Sequence, residues 1–200
     1  MMPCYALPDA VEYCVWPDAV EALVAELRPS PDLRVDEFVQ YGGRPVFALT
    51  FGQGAKRLFV SRPHAHEPAG TAASTELAKA LAGWREYRDC YAEWRPWALQ
   101  RFSITLVLDA NPSGSARAPV EFWDGTEIAN EHFFLCMFGE SGEQQGERFP
   151  RVDAWDMREV VPPASIGIAY ERLDEHIYVE PNRDYRSTFF RSFFNFFLIP

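Results

Sequence analysis

The sequence predicts an α/β fold with a mixed central β-sheet flanked by helices, and three stretches carry that expectation. Phe102–Leu108 (Phe-Ser-Ile-Thr-Leu-Val-Leu) is an apolar, β-branched run of strand length. Arg57–Ser61 is a shorter apolar strand, followed after a polar turn by a stretch rich in Ala, Leu, Glu and Lys that predicts a helix over Thr71–Leu81. Asp18–Arg28 places its apolar side chains at helical spacing.

Taken in chain order, the helix over 18–28 has Asp18 as its expected N-cap and is stopped by Pro29 and Pro31. Leu33–Val39 alternates as a strand does, Tyr41-Gly42-Gly43 reads as a hairpin turn, and Arg44–Phe51 is the returning strand. Gly52-Gln53-Gly54 turns the chain again into Arg57–Ser61, which is expected to be buried. The strand at 102–108 runs into the turn Asp109-Ala110-Asn111-Pro112-Ser113-Gly114. From Val120 to Val161 aromatic clusters alternate with Gly- and Glu-rich loops, and no element is assigned. Ile166–Tyr170 is expected as a further strand and Asp184–Phe197 as a last helix.

Composition narrows the function classes. Two hundred residues suit one domain or most of one. With 48% hydrophobic and 24% charged residues, disorder is excluded as a description of the whole chain. A formal charge of -10 repels phosphate backbones and anionic lipid, so neither nucleic acid nor a membrane is an expected partner. Cys4, Cys14, Cys90 and Cys136 lie far apart without a Cys-x-x-Cys pair, which speaks against a cysteine zinc site or a disulfide framework. The first twenty residues lack a basic segment ahead of an apolar run, no stretch has the length of a membrane span, and a cytoplasmic location is expected.

Between the strand at 57–61 and the helix at 71–81 stands Arg62-Pro63-His64-Ala65-His66-Glu67-Pro68-Ala69-Gly70. A strand end that opens into a helix is where open α/β sheets build their sites. His64 and Glu67 are spaced His-x-x-Glu, which lets an imidazole and a carboxylate converge on one point, and zinc accepts both donors. The spacing by itself also fits a loop histidine bonded to backbone and an acid at a helix N-terminus. His66, inside the same motif, competes as a ligand, and spacing favours His64.

The surrounding words add to this. Gly42-Gly43-Arg44-Pro45-Val46, then Pro63-His64-Ala65-His66-Glu67-Pro68-Ala69-Gly70, then Asn111-Pro112-Ser113-Gly114 after a hydrophobic strand, and finally Asn182-Arg183 resemble, in order, words of the M14 zinc carboxypeptidase family. The resemblance implies a zinc carboxypeptidase-like fold, with residues 1–200 as the N-terminal portion of a single peptidase domain. It implies Zn2+ held by His64 and Glu67. Asn182 and Arg183 would grip the substrate's terminal carboxylate, and Arg117 would stabilise the oxyanion of the tetrahedral intermediate, with Arg148, Arg151 and Arg158 of the same stretch as alternatives and a solvated loop cation as the plain reading of Arg117. The implied substrate is a peptide, or an acyl amino acid, with a free carboxylate.

The sequence departs from that pattern in several places. Ser113 replaces the usual Asp of its turn, and the segment between Gly114 and Asn182 is long, as an added loop over the site would be. The family's third zinc ligand is a histidine beyond the Asn-Arg pair, followed by a tyrosine and a glutamate base. The other histidines here, His132 and His176, both precede that pair. Six Phe crowd the stretch 189–197 in a helix without a polar finish, which is expected to be covered by a second chain or to mark an unstable fragment, the alternative being the buried end of a compact domain. The resemblance therefore extends to the first part of the family's domain, and little or no activity is expected of these residues alone. An amide deacylase of the aspartoacylase and succinylglutamate desuccinylase type, sharing the His-x-x-Glu and Asn-Arg words, is the alternative enzyme. A non-catalytic fragment or binding module is the alternative outside enzymes.

Overall fold

The computed structural model describes residues 14–84, 87, 91–122, 126–139, 154–159 and 166–181. The chain divides into two compact units: one runs to Glu37 and adds Phe47–Ser61 and Ala69–Leu108, and the other holds Phe38–Val46, Arg62–Pro68 and the chain from Asp109 onward.

A four-stranded sheet is built from β1 (Leu33–Val39), β2 (Pro45–Phe51), β3 (Lys56–Ser61) and β4 (Phe102–Val107), in the order β1-β2-β4-β3. β4 runs antiparallel to β2 and parallel to β3, so the sheet is mixed, as the sequence predicts. The chain itself dictates this. Gly42 and Gly43, both with φ near +95°, make the tight turn of the β1–β2 hairpin, where Gln40 N donates to Arg44 O at 2.8 Å. A parallel β3–β4 pair needs a long crossover. Here that crossover contains α2 (Pro68–Ala82) and α3 (Trp94–Arg101).

The core of the first unit gathers one face of α1 (Pro17–Leu27), through Val20, Leu23, Val24 and Leu27, with Leu49 and Phe51 of β2, Ile104 and Leu106 of β4, and Leu81 of α2. Burying each such side chain is worth about 1.5–3 kcal/mol, enough to fix helix and sheet together. α1 begins with Pro17 in its first turn and Trp16 at the N-cap, without a side-chain cap bond. Asp18 is therefore not the cap. It lies in the first turn, where a carboxylate still favours the positive end of the helix.

Two other expectations are corrected. β3 is not a buried strand: it is the edge of the sheet, exposed over its first half, with Leu58 45% exposed. Ile166–Tyr170 is buried but is no strand. Its Ile168 and Ala169 N–H groups donate to Cys136 O and Met137 O, in the last turn of α5 (Asn130–Phe138). Carbonyls there lack partners within the helix, and this segment satisfies them in place of a sheet ladder.

The turn after β4 winds into a short helix, α4 (Pro112–Ser115), whose Asn111 caps it by accepting from Gly114 N. The stretch left unassigned in sequence holds a 3-10 turn at Val120–Phe122, α5, and β5 (Ala154–Asp156). β5 joins β6 (Glu171–Arg172) and β7 (Ile177–Val179) in an antiparallel sheet of order β5-β7-β6. The expected helix at 184–197, with the second chain expected over it, lies outside the described residues. No helix among the described residues is long and apolar enough to cross a membrane.

Candidate metal centre

Parallel pairing sets the site's foundation. Val60 stands opposite Leu106 and Ser61 opposite Val107, so the loops following β3 and β4 leave the sheet side by side. The ladder continues one step beyond, with Ala110 N donating to Arg62 O at 3.1 Å. Loop 62–68 carries the donors and loop 109–118 supports them.

His64 to Glu67 form a turn closed by Glu67 N donating to His64 O at 3.1 Å. His64 Nδ1 lies 3.2 Å from Glu67 Oε2, and His66 Nε2 lies 3.8 Å from Glu67 Oε1. The two imidazoles stack at 5.1 Å, and His66 meets the ring of Phe133 edge-on at 5.6 Å. Ala65 between them is fully buried against Ala118 and Ile168. One donor atom from each of His64, His66 and Glu67 falls within 4.8 Å of the others, and among the described residues this is the cluster of donors fit for a metal ion.

The donor set suits zinc: two imidazoles and a carboxylate, with donors of a tetrahedral site expected about 3.4 Å apart. The His64–Glu67 separation already matches that spacing, and the His66–Glu67 separation is slightly wider. Burial holds His66 neutral, its pKa lowered to about 4, with the neighbouring His64 and Arg62 acting in the same direction and Glu67 opposing. A neutral imidazole keeps the lone pair that a cation needs.

Beneath the donors lies a buried charged network that sequence reading did not single out. Arg62, 3% exposed, donates through Nη1 to His64 O at 2.6 Å and through Nη2 to Ser115 Oγ at 3.0 Å. Its Nη2 also lies 2.9 Å from Asp109 Oδ2. Burial pulls the Arg62 pKa below its ordinary value while the Asp109 carboxylate pulls it back. Asp109 Oδ1 accepts from Asn111 N, and the Asn111 side chain accepts from Gly114 N and from Gln40 Nε2. Gln40 Oε1 in turn accepts from Ser113 N. The signal for this network was positional: Arg62 and Asp109 each follow the end of one of two predicted strands.

Gly114 is fixed by packing. A Cβ there would stand 2.3 Å from Ile168 O and 2.7 Å from Ala65 Cβ. The last residue of the Asn-Pro-Ser-Gly word thus lets loop 109–118 press against the turn that carries the histidines.

Arg117 is exposed, and its guanidinium reaches backbone carbonyls: Nε to Ser113 at 3.1 Å, Nη1 to Ile166 at 2.8 Å, and Nη2 to Gly167 and Tyr170 at 3.4 and 3.5 Å. It is no solvated loop cation. Asn182 and Arg183 lie outside the described residues, as do Arg148 and Arg151. His132 is beside Cys136 Sγ at 3.8 Å, and the backbone N of His176 donates to Asp174, so neither joins the cluster.

No family model matches the sequence, and no curated protein matches it. Solved structures similar to the chain include a metallo-carboxypeptidase from Burkholderia cenocepacia, at 24% identity and a TM-score of 0.45 over 50% of this chain and 28% of that one. A metallo-carboxypeptidase from Pseudomonas aeruginosa, solved in complex with (2-guanidinoethylmercapto)succinic acid, is 18% identical with a TM-score of 0.39, over 51% of this chain and 29% of that one. Carboxypeptidase A from Helicoverpa armigera is 14% identical with a TM-score of 0.41, over 61% and 31%. This chain spans less than a third of the length of each. Likeness at this level transfers no residue roles.

Proposed function

We propose that this chain contributes the zinc-binding turn of a metallocarboxypeptidase-like hydrolase that cleaves C-terminal peptide bonds, with residues 1–200 as the N-terminal portion of one peptidase domain. The observation that carries this reading is the approach of His64 Nδ1 to Glu67 Oε2, at 3.2 Å, in a turn following a parallel strand. In this reading His64 and Glu67 hold the metal. When bound, zinc supplies Lewis acidity toward a carbonyl and toward water. The Arg62 contact to the His64 carbonyl keeps that turn in register.

Further roles go with the proposal. Asn182 and Arg183 bind the free carboxylate of a peptide or acyl amino acid, the planar guanidinium matching it two-pronged. Arg117 stabilises the oxyanion, and can do so by releasing its two long Nη2 contacts, the weakest of its four. The expected setting is the cytoplasm. Hydrolysis by these 200 residues alone is expected to be very low, because the sequence carries no glutamate in the order the resemblance requires for the base.

A second reading, a metal-binding module without catalysis, draws on the same arginine: its guanidinium is engaged by four carbonyls and is not presented to a ligand. The test begins with zinc. Equilibrium dialysis of the wild-type chain beside His64→Ala and Glu67→Ala should give one zinc in the first. Losses in the other two should exceed the roughly 10–100-fold that outer-shell changes cost. Undiminished zinc in either variant would sink the assignment of that residue. C-terminal trimming of peptides then separates hydrolase from binding module.

A further inference from the structure

We propose that His66 is itself a zinc ligand, so that His64, His66 and Glu67 form a three-donor site from a single turn. The proposal rests on the reading above that this turn holds zinc, and adds a ligand to it. The His-x-x-Glu spacing makes no use of His66, yet both histidines approach the Glu67 carboxylate.

Three observations carry it. First, the imidazoles address opposite oxygens of one carboxylate, His64 Nδ1 on Oε2 and His66 Nε2 on Oε1, which is a convergence of donors on a common point. Second, the His66 ring is held in place: it stacks on His64 at an interplanar angle of 14° and is met edge-on by Phe133 at 81°. A donor whose ring plane is locked loses little freedom when a cation binds. Third, His66 is 7% exposed, but neither of its ring nitrogens has a hydrogen bond among the described residues: Nδ1 has no partner, and Nε2 has only the 3.8 Å approach to Glu67. A histidine buried for packing alone normally finds hydrogen bonds for its nitrogens. Here the one polar approach it makes is toward the carboxylate that His64 also faces.

The turn itself explains how one loop offers two imidazoles. Ala65 is absorbed into the small cluster with Ala118 and Ile168, and Gly114 leaves room for it. The flanking residues, His64 and His66, are thereby left to converge on Glu67. Three protein donors on a four-coordinate zinc leave one position open, the arrangement of catalytic rather than structural sites.

The experiment measures zinc affinity of the 200-residue chain by competition with a chromophoric chelator, together with X-ray absorption of the zinc-loaded protein to count imidazoles. Two imidazoles are expected in the wild type. His66→Ala and His66→Phe should each lower affinity by more than about 10–100-fold and leave one imidazole. The Phe variant keeps an aromatic ring against Phe133, so a loss seen in both, with far-UV circular dichroism unchanged, belongs to the ligand and not to packing. If zinc is lost in His64→Ala and Glu67→Ala but both His66 variants keep wild-type affinity, this proposal falls and the earlier reading stands. If the wild type binds no zinc, both fall.

Discussion

The apolar core of the first unit and the polar network inside the loops at 62–68 and 109–118 are both buried, and they are held by different forces. In the core, Leu49, Phe51, Leu81, Leu106 and Leu108 are fully buried and contribute area without direction. Such packing is worth a great deal, but it tolerates exchanges that conserve volume. In the loops, Gln40, Arg62, Asp109, Asn111 and Ser115 are just as inaccessible, and each is held by bonds with a fixed angle and partner. A buried ion pair is weak evidence for net stability, because desolvation offsets much of the attraction. What the loops gain is position: the Arg62 guanidinium joins the His64 carbonyl of one loop to the Ser115 hydroxyl of the other. The core supplies stability and the loops supply geometry.

Removing one member of each region should expose that difference most sharply. Arg62→Met leaves the Asp109 carboxylate buried without its cation, and a loss of about 3–5 kcal/mol is expected. Leu106→Ala is expected to cost about 2–5 kcal/mol through the cavity it opens. Urea denaturation measures both. The two should part company in zinc affinity at protein concentrations and temperatures where each stays folded. Arg62→Met weakens binding because the His64 carbonyl loses its donor, and Leu106→Ala leaves it near wild type. Adding Asp109→Leu to Arg62→Met should recover much of the stability and none of the affinity. Equal affinity losses in the Leu106 and Arg62 variants would mean the division of labour is wrong.

A smaller effect tests the close approach of the loops. Gly114→Ala drives a methyl group to within 2.3 Å of Ile168 O and 2.7 Å of Ala65 Cβ. A cost of about 1–3 kcal/mol is expected, as for other overpacked sites. Because the Ile168 contact is backbone and a third, with Asn111 Nδ2 at 2.7 Å, remains, adding Ala65→Gly should restore only part of it. Full restoration would show that the Ala65 contact alone sets the position of loop 109–118.

The same contrast explains what could be read from the sequence. β1 matches its predicted span residue for residue, and α1, α2 and β4 lie within a few residues of theirs, because apolar periodicity and the Gly-Gly turn act locally. The turn at 64–67 was legible as a donor cluster for the same reason, being four residues long. The expectations that failed depended on partners distant in sequence. Whether Lys56–Ser61 is central or at an edge depends on strand order, which its own residues do not encode. Ile166–Tyr170 has strand-like composition, yet its N–H groups go to a helix end some thirty residues earlier. The Arg62–Asp109 pair joins residues that meet only because β3 and β4 are parallel. The carbonyl contacts of Arg117, reaching as far as Tyr170, were equally out of reach of a local reading.

The smallest effect lies in the core itself, where pH has little to act on except Cys14. Burial pushes this thiol up from 9.0 to about 11; the Lys79 ammonium pulls it back and the Glu76 carboxylate raises it further. Cys14 packs at the margin of the core, and its carbonyl accepts from Thr75 Oγ1. The folded state therefore holds its proton to higher pH than the unfolded chain does. Below pH 9 both states are protonated and Cys14 contributes nothing to pH dependence. Between pH 9 and 11 the unfolded chain loses its proton first, so stability falls as pH rises, and above the folded value the loss is complete. Lysines and tyrosines ionise over the same range, so the informative quantity is the difference between wild type and Cys14→Ala in urea midpoint from pH 8 to 11.5. That difference should shrink steadily above pH 9 if the thiol is held as the structure has it. A flat difference, together with rapid alkylation of Cys14 at pH 9, would show that this margin of the core is open to water and that the burial shared by the two regions stops short of it.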